Sequence, residues 1–294
     1  MRGLALGLDP ERIRSQLGDS GLPYRVELLQ VVGSTQDRVC QAARLGAEEG
    51  LVIFAEEQTR GRGRAGRNWV SPAGTALMFS VLLRPTGPPA GWSTLGLAAG
   101  LALAEGLSAV GGPQVQLKWP NDCLCRDLKL AGILAEIPNL GRSGAALILG
   151  VGCNLFWREA AIPEGLRHSA TACDLEGARV DPTRLAVATL RRLASHYRTW
   201  LAEGFAPIRP LWWQRAAWIG RTVVAEQRDR PVRGRVVGIT ELGELLLRTP
   251  RGQVAIAAGE LRPAPPGAAG AVRLARSRLS APAGSAPPDL GGGS

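Results

Sequence analysis

Of the 35 lysine and arginine residues in this 294-residue sequence, only Lys118 and Lys129 are lysines, and both fall in QLKWPNDCLCRDLKLAGIL, residues 116–134. Where arginine has displaced lysine almost everywhere, a retained lysine points to a position that needs a compact ammonium and rejects a planar guanidinium. The second concentration of chemistry is EQTRGRGRAGRNW, residues 57–69. Its glycines let the chain bend as a flexible loop, and its guanidinium forks and backbone amides suit an anion such as a carboxylate or phosphate.

Two other readings of that loop fail on their surroundings. Gly61, Gly63 and Gly66 satisfy G-x-G-x-x-G, but RNWVSPAGT follows them as a turn-rich connector where a dinucleotide fingerprint needs a helix. No ribose-binding acid stands in the Arg84 and Pro85 region. An RGG-type nucleic-acid segment is long, repeated and interleaved with aromatics, whereas this one is short and lies between two apolar strands. The formal charge of +10 reads as a codon bias toward arginine that could steer an acidic partner, without a nucleic-acid motif to support it.

Around these clusters stand polar residues with two readings each. Asn68, Asn121 and Asn154 are three of the few asparagines, each inside a motif. Trp69 offers either a flat face for a heteroaromatic base or a core residue at a strand start. Ser34 or Thr35 suits the cap of a helix over 34–47, and equally a polar ligand.

The elements that must position these residues follow from periodicity. YRVELLQVV (24–32), LVIFAEE (51–57) and TALMFSVLL (75–83) read as strands, and residues 93–109 carry a helical period. VQLKW, the segment around Leu124, KLAGILAEI and AALILGVG read as further strands of one sheet, joined by turns at PND and CRD; residues 181–204 form an amphipathic helix. AALILGVG is a candidate edge for dimerisation. Short alternating runs over 219–262 suggest a small barrel, and 263–294, rich in Pro, Gly, Ala and Ser, should be disordered. The expectation is an α/β (α+β) chain: a catalytic domain over 1–218 with a mixed central sheet and flanking helices, a barrel over 219–262, and a tail. No apolar run is long enough for a membrane span, no signal peptide is evident, and five cysteines lack paired spacing. A cytoplasmic location with reduced thiols follows as the expectation.

Taken in order, GRGRAGRNW, KWPND, KLAGIL and GVGCN (150–154), with STQ (34–36) and EQT (57–59) upstream, resemble the catalytic domain of biotin protein ligases. The resemblance spans roughly residues 24–262 and includes the terminal barrel, SH3-like in that family. It implies that biotin and MgATP give biotinyl-5′-AMP, from which a lysine of a biotin carboxyl carrier domain takes the biotinyl group. By the same resemblance Lys129 bridges carboxylate and α-phosphate, Arg62 meets the biotin carboxylate or the adenylate, and Arg64 orders the loop over the product, with Arg67 completing the cage. Ser34, Thr35 and Gln58 match the contacts to the ureido ring, and backbone at Gly132 lines the biotin pocket. Trp69, Asn121 and Asn154 match the adenine and ribose side. Asp122 is the acid near Mg²⁺ and the incoming lysine, able to hold the one or help deprotonate the other. Lys118 meets ATP phosphates or forms a structural ion pair with Asp122.

The sequence departs from the family's S-T-N triplet at Gln36. Residues 1–23 leave no room for the DNA-binding winged helix of bifunctional members, so no specific DNA partner is expected. His168, His196 and the cysteines match no family role. Two rivals stay open at this point: a lipoate or octanoate ligase of similar architecture, and a nucleic-acid-binding module using the arginine loop.

Overall fold

The structure is a computed structural model in which residues 6–18, 20–138, 144–157, 162, 164–227 and 230–265 are described. The tail expected over 263–294 lies outside the described residues from 266 onward. The chain up to Pro263 forms one compact unit.

Helix α1 (Pro10–Leu17) precedes strand β1 (Arg25–Val32), and α2 (Thr35–Arg44) crosses to β2 (Leu51–Gln58). Then follow β3 (Ala76–Leu83), α3 (Ser93–Ala109), β4 (Gln116–Lys118), β5 (Asp122–Cys125), β6 (Leu128–Glu136) and β7 (Leu147–Asn154). Helices α4 (Pro182–Glu203) and α5 (Arg209–Gln214) complete this part. The seven strands form one sheet in the order β1-β2-β3-β7-β6-β5-β4. Its first pair is parallel, as a helical crossover requires, and every other pair is antiparallel.

Strand alternation sorts the core into two layers. Val52, Phe54, Val81, Leu83, Leu147 and Leu149 face a large core shared with α3 and α4. Leu51, Ile53, Leu82 and Ile148, one position out of phase on the same strands, pack with Val39 and Ala43 of α2. Helix α3 is apolar all round because it is covered on both sides, by the sheet and by α4. Helix α4 starts where the sequence signals it: Asp181 accepts from the Arg184 amide at 2.9 Å, with proline at the first helical position.

Two expectations need correction. Strand β7, the expected edge, lies between β3 and β6, and the edges are β1 and β4. Its apolar residues are buried at nearly every position, which is the pattern of a strand covered on both faces. The C-terminal strands β8 (Thr222–Glu226), β9 (Val232–Ile239), β10 (Leu245–Thr249), β11 (Gly252–Ile256) and β12 (Glu260–Pro263) form an antiparallel sheet ordered β11-β10-β9-β8-β12. Its outer strands do not pair, so among the described residues the sheet is open where a closed barrel was expected. Val223, Val236, Leu247 and Leu261 are buried and continuous with the large core.

Candidate active site

A single line of paired residues crosses the sheet: Met78 opposite Gly152, Gly152 opposite Gly132, Gly132 opposite Asp122, and Asp122 opposite Lys118. From Gly152 to Lys118 this line runs along the floor of a cavity of about 830 Å³. Its two glycines leave room for one ring: a Cβ at Gly152 would lie 2.6 Å from Trp69 Cε2, and one at Gly132 would lie 3.4 Å from Trp69 Cζ3. Trp69 is therefore seated on the site floor, half-buried. The position of its ring favours the flat-face reading over a plain core role.

Lys129 reaches this floor only because the ladder slips. Between β5 and β6 the register shifts by one residue after Cys123, so that Leu124 faces Lys129 and Leu130 is the extra residue. In an unbroken ladder Lys129 would point to the opposite face from Asp122. The displaced backbone is satisfied elsewhere: Lys129 N donates to Ser169 O at 2.9 Å, and Lys129 O accepts from Thr171 N at 2.9 Å. The result is an ion pair of 2.6 Å between Lys129 Nζ and Asp122 Oδ1. Lys118 Nζ comes to 3.9 Å from the other oxygen of the same carboxylate and lies 5.0 Å from the centre of the Trp218 ring. Both lysines of the chain thus converge on one acid. Lys129 sits in an interior strand, so it is not a solvated lysine at a sheet edge. The ion pair that competed with phosphate binding for Lys118 is present as a long contact. Burial pushes the Lys118 ammonium below its usual pKa, with Asp122 pulling it back up.

The arginine loop differs from the flexible strap expected. It folds on itself: Trp69 N donates to Gly61 O at 2.9 Å, Gly63 N to Arg67 O at 2.7 Å, and Arg62 bridges Asn68. Three of its four guanidinium groups also have a partner. Arg62 pairs with Asp37 at 2.8 Å and Glu136 at 2.6 Å, and Arg67 with Glu260 of β12 at 3.0 Å. Arg64 donates to Asn121 Oδ1 at 3.2 Å, and Asn121 Nδ2 in turn donates to Ile133 O at 3.0 Å. Asn121 therefore ties the loop to β6.

At the end of the cavity near α2 lies an uncharged polar cluster. Gln58 Oε1 accepts from the Thr35 amide at 2.7 Å, and Thr35 Oγ1 lies 2.8 Å from Ser80 Oγ. Ser34 occupies the cap position of α2 without making the side-chain cap bond, and its buried hydroxyl has no partner among the described residues. A buried hydroxyl without a partner lacks the compensation that such groups normally have. Capping therefore does not account for it, and Ser34 is one of the residues that line the cavity.

All the sequence-selected residues except Asn154 line this one cavity. Asn154 is buried at the end of β7, where its Nδ2 donates to Thr171 O at 2.9 Å. Ser80, Trp218, Glu260 and His168 also line the cavity and were not singled out as site residues. Ser80 looks like any small residue in an apolar strand, and Trp218 and Glu260 belong to the separate C-terminal run. His168, exposed beside the segment that holds Lys129, carried no signal by type or spacing. All five cysteines are free, and burial pushes the Cys123 thiol up to about 12, away from the thiolate that reacts.

As a resident Mg²⁺ ligand Asp122 is a poor fit. Its carboxylate lies between two ammonium groups, and among the described residues no cluster of three or more metal-ligating side chains forms. A magnesium ion prefers one or two free carboxylates together with phosphate oxygens and water. The donors here suit a substrate complex that brings its own ion.

Residues 28–154 match the Biotin/lipoate A/B protein ligase family, and residues 218–261 match the Biotin protein ligase C terminal domain. Among relatives, the biotin--[acetyl-CoA-carboxylase] ligase of Paracoccus denitrificans is 37% identical over 217 residues, covering 71% of this chain and 88% of that protein. The chain belongs to the biotin protein ligase family. Another family relative, the bifunctional ligase/repressor BirA of Bacillus spizizenii, is 33% identical over 246 residues, covering 83% of this chain and 76% of that one. Among solved structures, the biotin protein ligase from Aquifex aeolicus in complex with biotin and ATP aligns with a TM-score of 0.72 and 29% identity. That alignment covers 82% of this chain and 99% of the other. Among the described residues no helix is long and apolar enough to cross a membrane.

Proposed function

We propose that this chain joins biotin to protein in two steps. In the first, a biotin carboxylate oxygen attacks the α-phosphorus of MgATP; the bond to the β-phosphate breaks, giving biotinyl-5′-AMP and pyrophosphate. In the second, the ε-amine of a lysine on a biotin carboxyl carrier domain, part of acetyl-CoA carboxylase or a related carboxylase, attacks the acyl carbon. An amide forms, AMP leaves, and the amine gives up a proton.

The observation that carries this reading is the convergence of both lysines on Asp122 at one end of a glycine floor whose other end holds Thr35 and Gln58. In step one two anions must approach each other, and the Lys129 ammonium offsets their repulsion and stabilises the charge gathering in the transition state. Asp122 holds that ammonium in place, and is the carboxylate positioned to help the acceptor amine lose its proton. Arg62, Arg64 and Arg67 add positive charge over the reacting centre, and closure by their loop would shield a labile mixed anhydride from water. Trp69 supplies the face for the adenine. Ser34, Thr35 and Gln58 supply hydrogen-bonding groups for a cyclic urea, whose two N–H donors and single carbonyl oxygen they complement. A lipoyl or octanoyl tail offers these three residues nothing to bond.

The test is incubation with biotin, MgATP and a carrier domain, read by intact mass and by pyrophosphate release. One biotinyl group on one carrier lysine is expected, with no competition from lipoate. Transfer of lipoate in preference to biotin, or pyrophosphate release with neither acid, would overturn the reading.

A further inference from the structure

Gln36, the residue that departs from the family triplet, and Ser80 have no part in the reading above, yet both are buried against the ligand end of the cavity. Their hydrogen bonds have only one consistent direction. Ile148 O can only accept, so the Gln36 atom 3.1 Å from it is the amide nitrogen, and Gln36 Oε1 faces Ser80. That oxygen has one donor among the described residues, Ser80 Oγ at 3.0 Å. Ser80 has a single proton, and giving it to Gln36 leaves Ser80 an acceptor toward Thr35. The 2.8 Å contact between the two hydroxyls is then a bond donated by Thr35. Thr35 Oγ1 also lies 3.1 Å from Gln58 Oε1, but its one proton is committed. If Thr35 donated to Gln58 instead, either the 2.8 Å contact between the hydroxyls would hold no proton, or Ser80 would turn its proton to Thr35 and leave the buried Gln36 Oε1 without a donor. Gln58 Oε1 does not need that proton, because the Thr35 amide already donates to it at 2.7 Å.

We infer that Gln36 and Ser80 are positioning residues which fix the direction of the Thr35 proton, so that Thr35 Oγ1 and Gln58 Oε1 both face the cavity as acceptors and select a ligand with two N–H donors. The inference rests on the proposed function and deepens it: it says why this chain takes a cyclic urea in preference to a ring of the same shape carrying fewer N–H groups. If the relay is cut at either residue, Thr35 can turn its proton onto Gln58 Oε1. The cluster then satisfies itself and one outward acceptor is lost.

The experiment compares biotin with its two carbamate analogues, in which one ring N–H or the other is replaced by oxygen, by measuring Kd with the full chain. Wild-type protein should prefer biotin. Gln36→Met and Ser80→Ala should each lower the preference about tenfold, one hydrogen bond's worth, against the one analogue that lacks the N–H facing the lost acceptor: that analogue binds nearly unchanged, while biotin and the other analogue weaken together. Ser80→Ala removes only a hydroxyl, so it serves if Gln36→Met does not fold; melting curves show which variants are native. Equal weakening of all three ligands, or an unchanged preference, would mean that the pair merely packs, and would overturn the relay while leaving the ligase reading intact. Failure of wild-type protein to bind biotin would sink both.

Discussion

The two faces of the seven-stranded sheet are made by the same strands and differ in almost everything else. Toward α3 and α4, Phe54, Phe79, Leu83 and Leu149 fill the interior, with side chains that are 0–1% exposed. Toward α2, the corresponding positions become Ser80, Gly150 and Gly152 as the strands approach the cavity. The first face stabilises the fold by excluding water from apolar surface. The second is a site made by subtraction: side chains are withheld so that a ring, a carboxylate and two ammonium groups can share the vacated volume. Stability and chemistry are thus separated by one step of strand alternation, and substitutions on the two faces should separate them in measurement.

The largest effect is expected on the site face. Lys129→Arg should leave a folded protein whose adenylation rate falls by about 10²–10³-fold, as when one preorganised donor is lost from a transition state, because the planar guanidinium cannot take the ammonium's place. Near-normal turnover would show that a point charge is not needed at that place. In the core behind the other face, Leu101 of α3 is fully buried, and Leu101→Ala should cost about 2–5 kcal/mol in chemical denaturation, as truncations of fully buried leucines do, while the Michaelis constants for biotin and ATP stay put. A change in either constant would show that the two faces are coupled. Gly152→Ala puts a methyl 2.6 Å from the Trp69 ring, which must then move. The ATP Michaelis constant should rise about tenfold with little change in melting temperature, the loss expected when one base–aromatic stack is disturbed.

The smallest effect is at the rim. Asp127, in the β5–β6 turn, accepts from Trp218 at 2.7 Å and from Arg221 at 2.9 Å, and these bonds hold its carboxyl below the usual 3.8. A depressed carboxyl contributes stability that is present above the usual value and lost as pH falls through the lower folded value. Asp127→Asn should therefore flatten the stability profile below about pH 4, and cost no more at neutral pH than the ~0–1 kcal/mol of an exposed pair. An unchanged acid profile would mean that the two bonds do not persist in solution.

Much of the site was legible because its residues are rare or clustered. Lys118 and Lys129 stand out against an arginine background, and the Gly-Arg loop and the Gly150, Gly152 pair are compact in sequence. The helices α2, α3 and α4 and most strands followed from hydrophobic period, while the short α1 and α5 were not read from the sequence. What could not be read was anything that depends on which strand neighbours which. The expected edge strand proved central, because an apolar run of that length signals burial on two faces and says nothing about a dimer. The expected barrel proved an open sheet, because alternation fixes which side of a strand is buried and not what buries it. Ser80 and Trp218 were passed over because their meaning comes from residues far away in the chain.

The sequence alone determined the family, through short motifs whose order and residue types leave little room for another assignment, and it singled out the lysines. Which face Lys129 occupies was decided only by tertiary structure. A one-residue slip at Leu130, with the Lys129 backbone bonded instead to Ser169 and Thr171, turns that side chain toward Asp122. The proton direction at Thr35 was likewise decided by a strand and a helix meeting. A residue's type sets what bonds it is able to make, and only packing sets which of them remain for a ligand.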